Sequence, residues 1–516
     1  MYKLGIDVGG TNTDAVIIDE RLQVVAEVKH PTTEDVYDGI LCALREVIDR
    51  AGIDRKSISQ AMLGTTQCTN AIVERKNLAK VGLVRIGAPA TTGIPPMVDW
   101  PEDIQAVVKD HTVIRGGYEF NGREITQLDR AAAEAFFRRV KGKVQSIAVS
   151  CVFSTIRNDQ ELEIARLCRE IMGEEIPVSI SSEIGSMGLI ERENAAILNA
   201  ALYKVAERFT EGFARSLKQE GITNAEIYLS QNDGTLMTME HARRYPILTI
   251  ACGPTNSIRG ASYLSRLKNS IVVDVGGTTT DFGVIQNAFP RESSAAAVIG
   301  GVRTNFRMPD IISIGLGGGS IVRRQPDGRV TVGPDSVGYR ITSEALVFGG
   351  QTVTATDIAV KLGMARIGDP KLAEGIDDGF AAQAMEVIRG MAEDCIDSLK
   401  LSGGDVDVVL VGGGSIILPK DLAGTSQVCN PEHFGCANAI GSAISKVSGN
   451  YEQLIDYDQI PRDQALSQAK EEAARLAVEA GAIPDTVEII EVEDVPLAYC
   501  VGSTSRVRVK AAGDLA

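Results

Sequence analysis

The chain has 516 residues, 44% of them hydrophobic and 23% charged, with a formal net charge of −16. That length accommodates two or three domains with their own cores, and the acidic balance argues against nucleic acid or an anionic membrane as the main partner. Nine scattered cysteines with no CxxC pair fit a reducing cytoplasm; four histidines with no HExxH frame argue against a histidine zinc site; and no apolar run approaches the ~18 residues of a membrane span.

The opening residues read directly as strands, Tyr2–Val8, Asp14–Ile18 and Gln23–His30, without an export signal. Between the first two lies GIDVGGTNTD (5–14): an apolar strand ending in an acid, two glycines, hydroxyls in the turn, and a closing Asp. Apolar spacing predicts a helix over 36–51. A short strand then enters the hydroxyl-rich turn Gly64-Thr65-Thr66, followed by a helix over Thr69–Lys76 that includes Asn70. Residues 87–101, rich in Gly, Pro and Thr, read as a long loop, either a connector or a border of a binding surface. Helices over 131–141 and 160–172 alternate with strands over 146–153 and 177–181, the texture of an α/β fold.

From Gly188 to Gln219 runs the longest helical pattern, with Leu198, Leu202, Val205, Phe209, Phe213 and Leu217 on one face; its start is expected to cross between halves. Strands are expected at 226–229 and 247–250, then a turn at Cys252-Gly253-Pro254 into a helix ending near Leu264. At 272–281 the opening motif returns as VVDVGGTTTD. A strand at 311–314 breaks on Gly317-Gly318-Gly319, and another at 406–411 breaks on Gly412-Gly413-Gly414, with helices expected at 378–399 and 432–447. From Tyr451 a polar, Ala-rich helix (463–480) and two strands (487–492, 506–510) read as a small terminal module.

Two copies of the glycine turn suggest related halves facing each other across a cleft. Paired glycines let backbone approach a ligand, and successive N–H groups make an anion-binding concavity. Gly9, Gly10, Thr11, Asn12 and Thr13, with Gly276, Gly277, Thr278, Thr279 and Thr280, therefore read as a split phosphate clamp. Asp7 and Asp274, at the strand ends, are suited to hold Mg²⁺ through its waters. No GxxxxGK[ST], GxGxxG or GxSxG motif is present. Gly412–Gly414 is assigned to the adenosine side and Gly317–Gly319 to the phosphates; close strand–helix packing is the alternative for both.

These motifs resemble the actin, sugar-kinase and heat-shock-chaperone superfamily, in which two ribonuclease H-like halves clasp ATP. More narrowly, GIDVGGTNTD (5–14), LGTTQCTNAIVER (63–75), ERENAAILNAAL (191–202), ACGP (251–254), DVGGTTTD (274–281), SIGLGGGSI (313–321), TVTATDIAVKLG (352–363), VLVGGGS (409–415) and the closing PLAYCVGSTSRVRVKAAGDL (496–515) resemble the ATP-binding subunit of the hydantoinase/oxoprolinase family. Asn12, Cys252 and Thr255 depart from its usual residues. The resemblance implies an α/β fold of two actin-like ATPase halves, residues 1–181 and 182–450, facing a nucleotide cleft, plus a small C-terminal module, 451–516. It implies ATP- and Mg²⁺-dependent activation of a cyclic amide such as a hydantoin, oxoproline or lactam, working with a separate hydrolytic B-type subunit in a homo- or hetero-oligomer; some relatives carboxylate ketones instead. Glu193 becomes a candidate to orient metal-bound water or substrate, or else a helix-start acid. Thr65, Thr66 and Asn70 become candidates to face the γ-phosphate or substrate, or else helix caps. Cys252 lines the same cleft or is a packed thiol. A small-molecule kinase and an ATPase switch acting on a protein client are the rival readings.

Overall fold

The computed structural model describes residues 1–9, 12–31, 36–293, 297–306, 308–400, 402–497 and 502–515. It is an α/β protein with mixed sheets, and two of those sheets share one five-strand plan. In the first, β1 (Tyr2–Val8), β2 (Asn12–Ile18), β3 (Val24–Pro31), β4 (Ile58–Thr65) and β5 (Glu226–Ser230) lie in the order β3-β2-β1-β4-β5. In the second, β6 (Ser270–Val275), β7 (Thr280–Gln286), β8 (Ile311–Ile314), β9 (Val406–Val411) and β10 (Thr425–Cys429) lie in the order β8-β7-β6-β9-β10. The directions also match. The first three strands of each set pair antiparallel, and the fourth and fifth join in parallel.

Central strands β1, β4, β6 and β9 are buried along most of their length, and β6 and β9 are rich in Val, Ile and Leu, because both their faces are covered. Edge strand β3 alternates instead. The first sheet's core is closed by the helix Val36–Ala51 and by the 31-residue α1 (Leu189–Gln219), whose expected apolar face from Leu198 to Leu217 is buried. Residues 81–180, between β4 and β5, add a separate parallel sheet of Val108–Arg115, Val81–Ala88, Ser146–Cys151 and Val178–Ile180. Its first two strands were absent from the sequence reading. The loop 87–101 ends on buried Trp100, whose indole N–H donates to Asn194 Oδ1 of α1 at 2.8 Å.

Sheet membership cuts across the expected boundaries. Both α1 and β5 belong with the N-terminal strands, not with residues 182–450. The strands at 446–456, 488–496 and 504–513 extend the first sheet beyond Thr235–Thr238 rather than standing apart after residue 450. Pairing partners hundreds of residues apart decide this, and local texture carries no trace of them. Residues 246–249 form a 3₁₀ turn led by Pro246, not a strand. The helix expected over 432–447 spans 437–444, because the chain is extended again from Lys446. Among the described residues no helix is long and apolar enough to cross a membrane.

Two helices, α2 (Cys252–Ser265) and α3 (Ala437–Ile444), lie between the two sheets. Ala439, Ile440 and Ala443 of α3 pack on Val16 and Ile18 of the first sheet, while Ile258 and Ala261 of α2 pack on Val272, Val409 and Val411 of the second. The helices cross at backbone contact. A Cβ on Gly260 would stand 1.9 Å from the Ala437 carbonyl oxygen, and one on Gly441 would stand 1.9 Å from that of Asn256. Gly260→Val is therefore expected to lower stability by about 1–3 kcal/mol or more, read as a lower denaturation midpoint in urea. Gly390→Ala, in the helix Asp378–Leu399 with open space at its Cβ, should raise the midpoint through about 0.5–1 kcal/mol of helix propensity.

Candidate functional site

Both glycine turns close in the same way: the Gly9 N–H donates to the Asn12 carbonyl at 2.9 Å, and the Gly276 N–H to the Thr279 carbonyl at 2.9 Å. Register makes the repeat deeper than the turns. Asp7 pairs across from Asp14, and Asp14 from Lys29; in the second half Asp274 pairs with Asp281, and Asp281 with Ser313. Each leading aspartate lies over a glycine of the neighbouring strand or its turn. A Cβ on Gly64 would be 2.2 Å from Asp7 Oδ1, and one on Gly412 would be 2.2 Å from Asp274 Oδ1.

The carboxylates are held by neutral donors from the intervening helices. Asp7 accepts from Asn256 Nδ2 at 3.3 Å and from Asn438 Nδ2 at 3.0 Å. Burial, then the Asp14 charge, pushes its carboxyl up to about 6, against the two amides and with a further push from Asp274. Burial likewise raises Asp274, opposed by a hydrogen bond from Ser257, and raises Asp281 to about 6, opposed by Ser313. Asp14 is raised by burial but held by Lys29, whose ammonium donates to both its oxygens at 2.7 Å.

The two turns open onto one cleft of about 310 Å³, to which Gly9, Asn12, Asp14, Lys29, Asp274 and Asn438 contribute. Gly276, Gly277, Gly318 and Gly412–Gly414 line it from the second half. Beside them Ile341, Phe348, Ile367, Ile416 and Phe434 supply an apolar wall, the kind of surface that takes a flat heteroaromatic ring. Gly413 has open space where a Cβ would stand. Gly317 and Gly319 act differently from expectation, as packing residues. Their Cβ atoms would meet the Gly277 backbone at 2.6 and 3.0 Å, and the N–H groups of Gly318, Gly319 and Gly414 donate to Gly276, Gly277 and Val275 carbonyls at 2.8–3.0 Å. The glycine triples thus brace the second turn. A 3₁₀ turn, Ser415–Ile417, follows Gly414.

Gly10 and Thr11 lie outside the described residues. Thr13 is buried with its hydroxyl unpartnered; Thr280 donates instead to the Leu316 carbonyl at 2.6 Å. Thr278 and Thr279 border the turn without lining the cleft. Thr65 accepts from the Gln67 N–H, Thr66 donates to the Val8 carbonyl, and exposed Asn70 donates to Thr66, so these three serve the turn and the first helical residues. Cys252 is a packed thiol pushed up to about 12 by burial, its Sγ 3.4 Å from the Thr65 N–H and carbonyl oxygen. Glu193 stands apart from the cleft. Its oxygens are taken by the Arg85 guanidinium at 2.5 and 2.7 Å and by the Ser150 hydroxyl at 2.6 Å, all fully buried. It anchors α1 to the four-stranded sheet, and the proposed metal-water role is withdrawn. Lys29, Asn256, Ser257 and Asn438 escaped the sequence reading because each sits in an ordinary-looking stretch; long-range packing alone brings Lys29, Ser257 and Asn438 to the cleft and Asn256 to Asp7.

Among the described residues no three His, Cys, Asp or Glu side chains converge as a metal cage. Mg²⁺ needs no such cage: it keeps most of its waters and takes one or two carboxylates plus phosphate oxygens. Asp7 and Asp274, close enough to raise the Asp7 carboxyl by repulsion, are a donor set that a divalent cation would relieve.

Family models for the hydantoinase/oxoprolinase N-terminal region and for hydantoinase/oxoprolinase match residues 3–172 and 192–425. The chain belongs to the hydantoinase/oxoprolinase family. It is 27% identical over 390 residues to the caprolactamase subunit alpha of Pseudomonas jessenii, covering 70% of this chain and 54% of that one. It is 25% identical over 402 residues to the acetone carboxylase beta subunit of Xanthobacter autotrophicus, covering 70% and 54%. The chain thus spans about half the length of these relatives. The crystal structure of the ATP-dependent caprolactamase from Pseudomonas jessenii superposes with a TM-score of 0.79 at 20% identity, covering 99% of this chain and 87% of that one.

Because the folded Asp7 carboxyl titrates near 6 against an ordinary 3.8, the folded state holds the extra proton between those values. Stability therefore falls as pH rises from 4 to 6 and is level above. In Asp7→Asn this cost is removed, and Asn256, whose Oδ1 is buried without a partner, can turn its amide to accept from the new side chain. The variant is expected to unfold at higher temperature than the wild type at pH 7.5, without nucleotide or divalent cation, by the equivalent of about 1–3 kcal/mol. The difference should vanish toward pH 4.

Proposed function

We propose that this chain is the ATP-binding, substrate-activating subunit of an enzyme that phosphorylates the carbonyl oxygen of a cyclic amide. The observation that carries the reading is the matched pair of glycine turns and aspartates, in identical register, opening onto one cleft beside an apolar wall. The two matched sheets support naming the halves ribonuclease H-like, actin-like ATPase domains. We place residues 1–65, 188–250 and 446–513 in one, with 81–180 inserted, and 252–444 in the other.

In this reading the wall of Ile341, Phe348, Ile367, Ile416 and Phe434 takes the adenine, and the N–H groups of both turns face the phosphates. Mg²⁺ held near Asp7 and Asp274 would neutralise phosphate charge. The amide oxygen attacks the γ-phosphorus; its O–P bond forms as the bond to the β-phosphate oxygen breaks, and ADP departs. An amide oxygen needs no strong base, so positioning and charge neutralisation suffice. At a separate B-type subunit water adds to the activated carbon, inorganic phosphate leaves, and the ring C–N bond breaks with the nitrogen taking up the proton. The scattered thiols, free among the described cysteines, suit a cytoplasmic setting. A second reading, activation of a ketone enolate oxygen for carboxylation, is favoured by the similarity to an acetone carboxylase subunit.

The test is ATP consumption with hydantoins, oxoproline and lactams, and with ketones plus bicarbonate, each with and without a candidate B-type subunit. ADP release matched by ring opening is expected, and Asp274→Ala should abolish it. Gly413→Val, entering open cleft space, should weaken ATP binding about tenfold or more without lowering the melting temperature. ADP release matched to ketone carboxylation would select the second reading, and nucleotide turnover indifferent to every ring and ketone would overturn both.

A further inference from the structure

Lys29 departs from the symmetry of the two halves. It occupies the β3 position paired with Asp14; the same position in the second half, paired with Asp281, is Ser313. Among the described residues lining the cleft it is the sole cation, against Asp14 and Asp274. A buried carboxylate at this place in the plan does not require a lysine, since Asp281 is satisfied by the Ser313 hydroxyl.

The exposure of the pair is lopsided. The Asp14 side chain is 3% exposed and that of Lys29 is 35%, whereas both members of the structural pair Arg85–Glu193 are fully buried. Asp14 engages two of the ammonium's three N–H donors, and the third remains for a ligand in the cleft. A cleft-lining lysine held by a sealed carboxylate is a preorganised phosphate contact. Holding the stem in place removes much of the side-chain ordering that a free lysine would undergo on binding.

Resting on the functional reading above, we infer that Lys29 contacts the terminal phosphate of a bound nucleoside triphosphate and stabilises the phosphoryl group as it transfers. The ammonium stays protonated throughout. As the acceptor oxygen–phosphorus bond forms and the bond to the β-phosphate oxygen breaks, negative charge grows on the departing diphosphate and spreads over the transferring group, within reach of the Lys29 N–H. Asp14 is a positioning residue: it aims the ammonium and does not touch the nucleotide.

The experiment uses the full chain, with calorimetric titration of ATP and ADP and steady-state ATP turnover. Lys29→Met is expected to lower kcat about 100-fold and ATP affinity about tenfold, with ADP affinity within about twofold of wild type, since ADP lacks the contacted phosphate. Lys29→Arg should recover part of kcat. Because Lys29→Met strands a buried carboxylate, the double variant Asp14→Asn/Lys29→Met separates folding from function. It should melt near the wild type yet show the same loss of kcat and of ATP-over-ADP preference. Wild-type kcat and ATP affinity in that folded double variant would overturn the inference while leaving the functional reading intact. A wild-type protein that binds neither nucleotide would overturn the functional reading and this inference with it.

Discussion

Asp7 and Asp274 can lie across the ends of their strands only because the neighbouring chain offers no Cβ there. Gly64 and Gly412 each leave the space in which a carboxylate oxygen sits, at a distance no methyl group could share. The constraint appears once in each half, and much of the site follows from it. Asp274 lines the cleft; both carboxylates are buried and therefore raised, and a buried carboxylate needs donors. Those donors come from helices, not from the strands beside them.

The helices α2 and α3 link this electrostatics to the relation between halves. Asn256 and Ser257 are consecutive on α2, about 100° apart around its axis, and they reach Asp7 and Asp274 respectively. Asn438, at the start of α3, completes the set on Asp7. Both helices pack on both sheets and touch each other at the glycine contacts of Gly260 and Gly441. A rotation of one half against the other must pass through the residues that orient the two aspartates.

Short-range physics was legible in the sequence. The glycine turns, the helices at 36–51 and 378–399 and the strands β6 and β9 follow from local spacing, capping and turn chemistry, and they stand where expected. What failed depended on partners distant in the chain. Nothing near Glu226 says that β5 pairs with β4, and nothing near residue 504 says that the last strand pairs with 446–456. Glu193 read as a candidate to orient metal-bound water or substrate, or else as a helix-start acid, yet Arg85, 108 residues earlier, claims it. Removing one partner of such a buried pair costs about 3–5 kcal/mol, so its carboxylate is committed to structure. Lys29 was invisible for the converse reason: a lysine on an edge strand looks solvated until register shows that it faces Asp14.

The shared plan then explains where the halves differ. Insertions enter at different points: residues 81–180 between the fourth and fifth strands of the first half, residues 315–405 between the third and fourth of the second. The second insertion brings Ile341, Phe348, Thr356 and Ile367 to the cleft, so the apolar wall belongs largely to that half. The first insertion builds a separate sheet that buries the start of α1 from the other side. Paired with the exchange of Lys29 for Ser313, this divides the labour. One copy of the scaffold carries most of the apolar wall and a serine, and the other carries a cation that lines the cleft. A symmetric pair of clamps would hold a polyphosphate equally from both ends. In the proposed reading, one lysine and one apolar wall on opposite halves orient the nucleotide, terminal phosphate toward the first half and base toward the second.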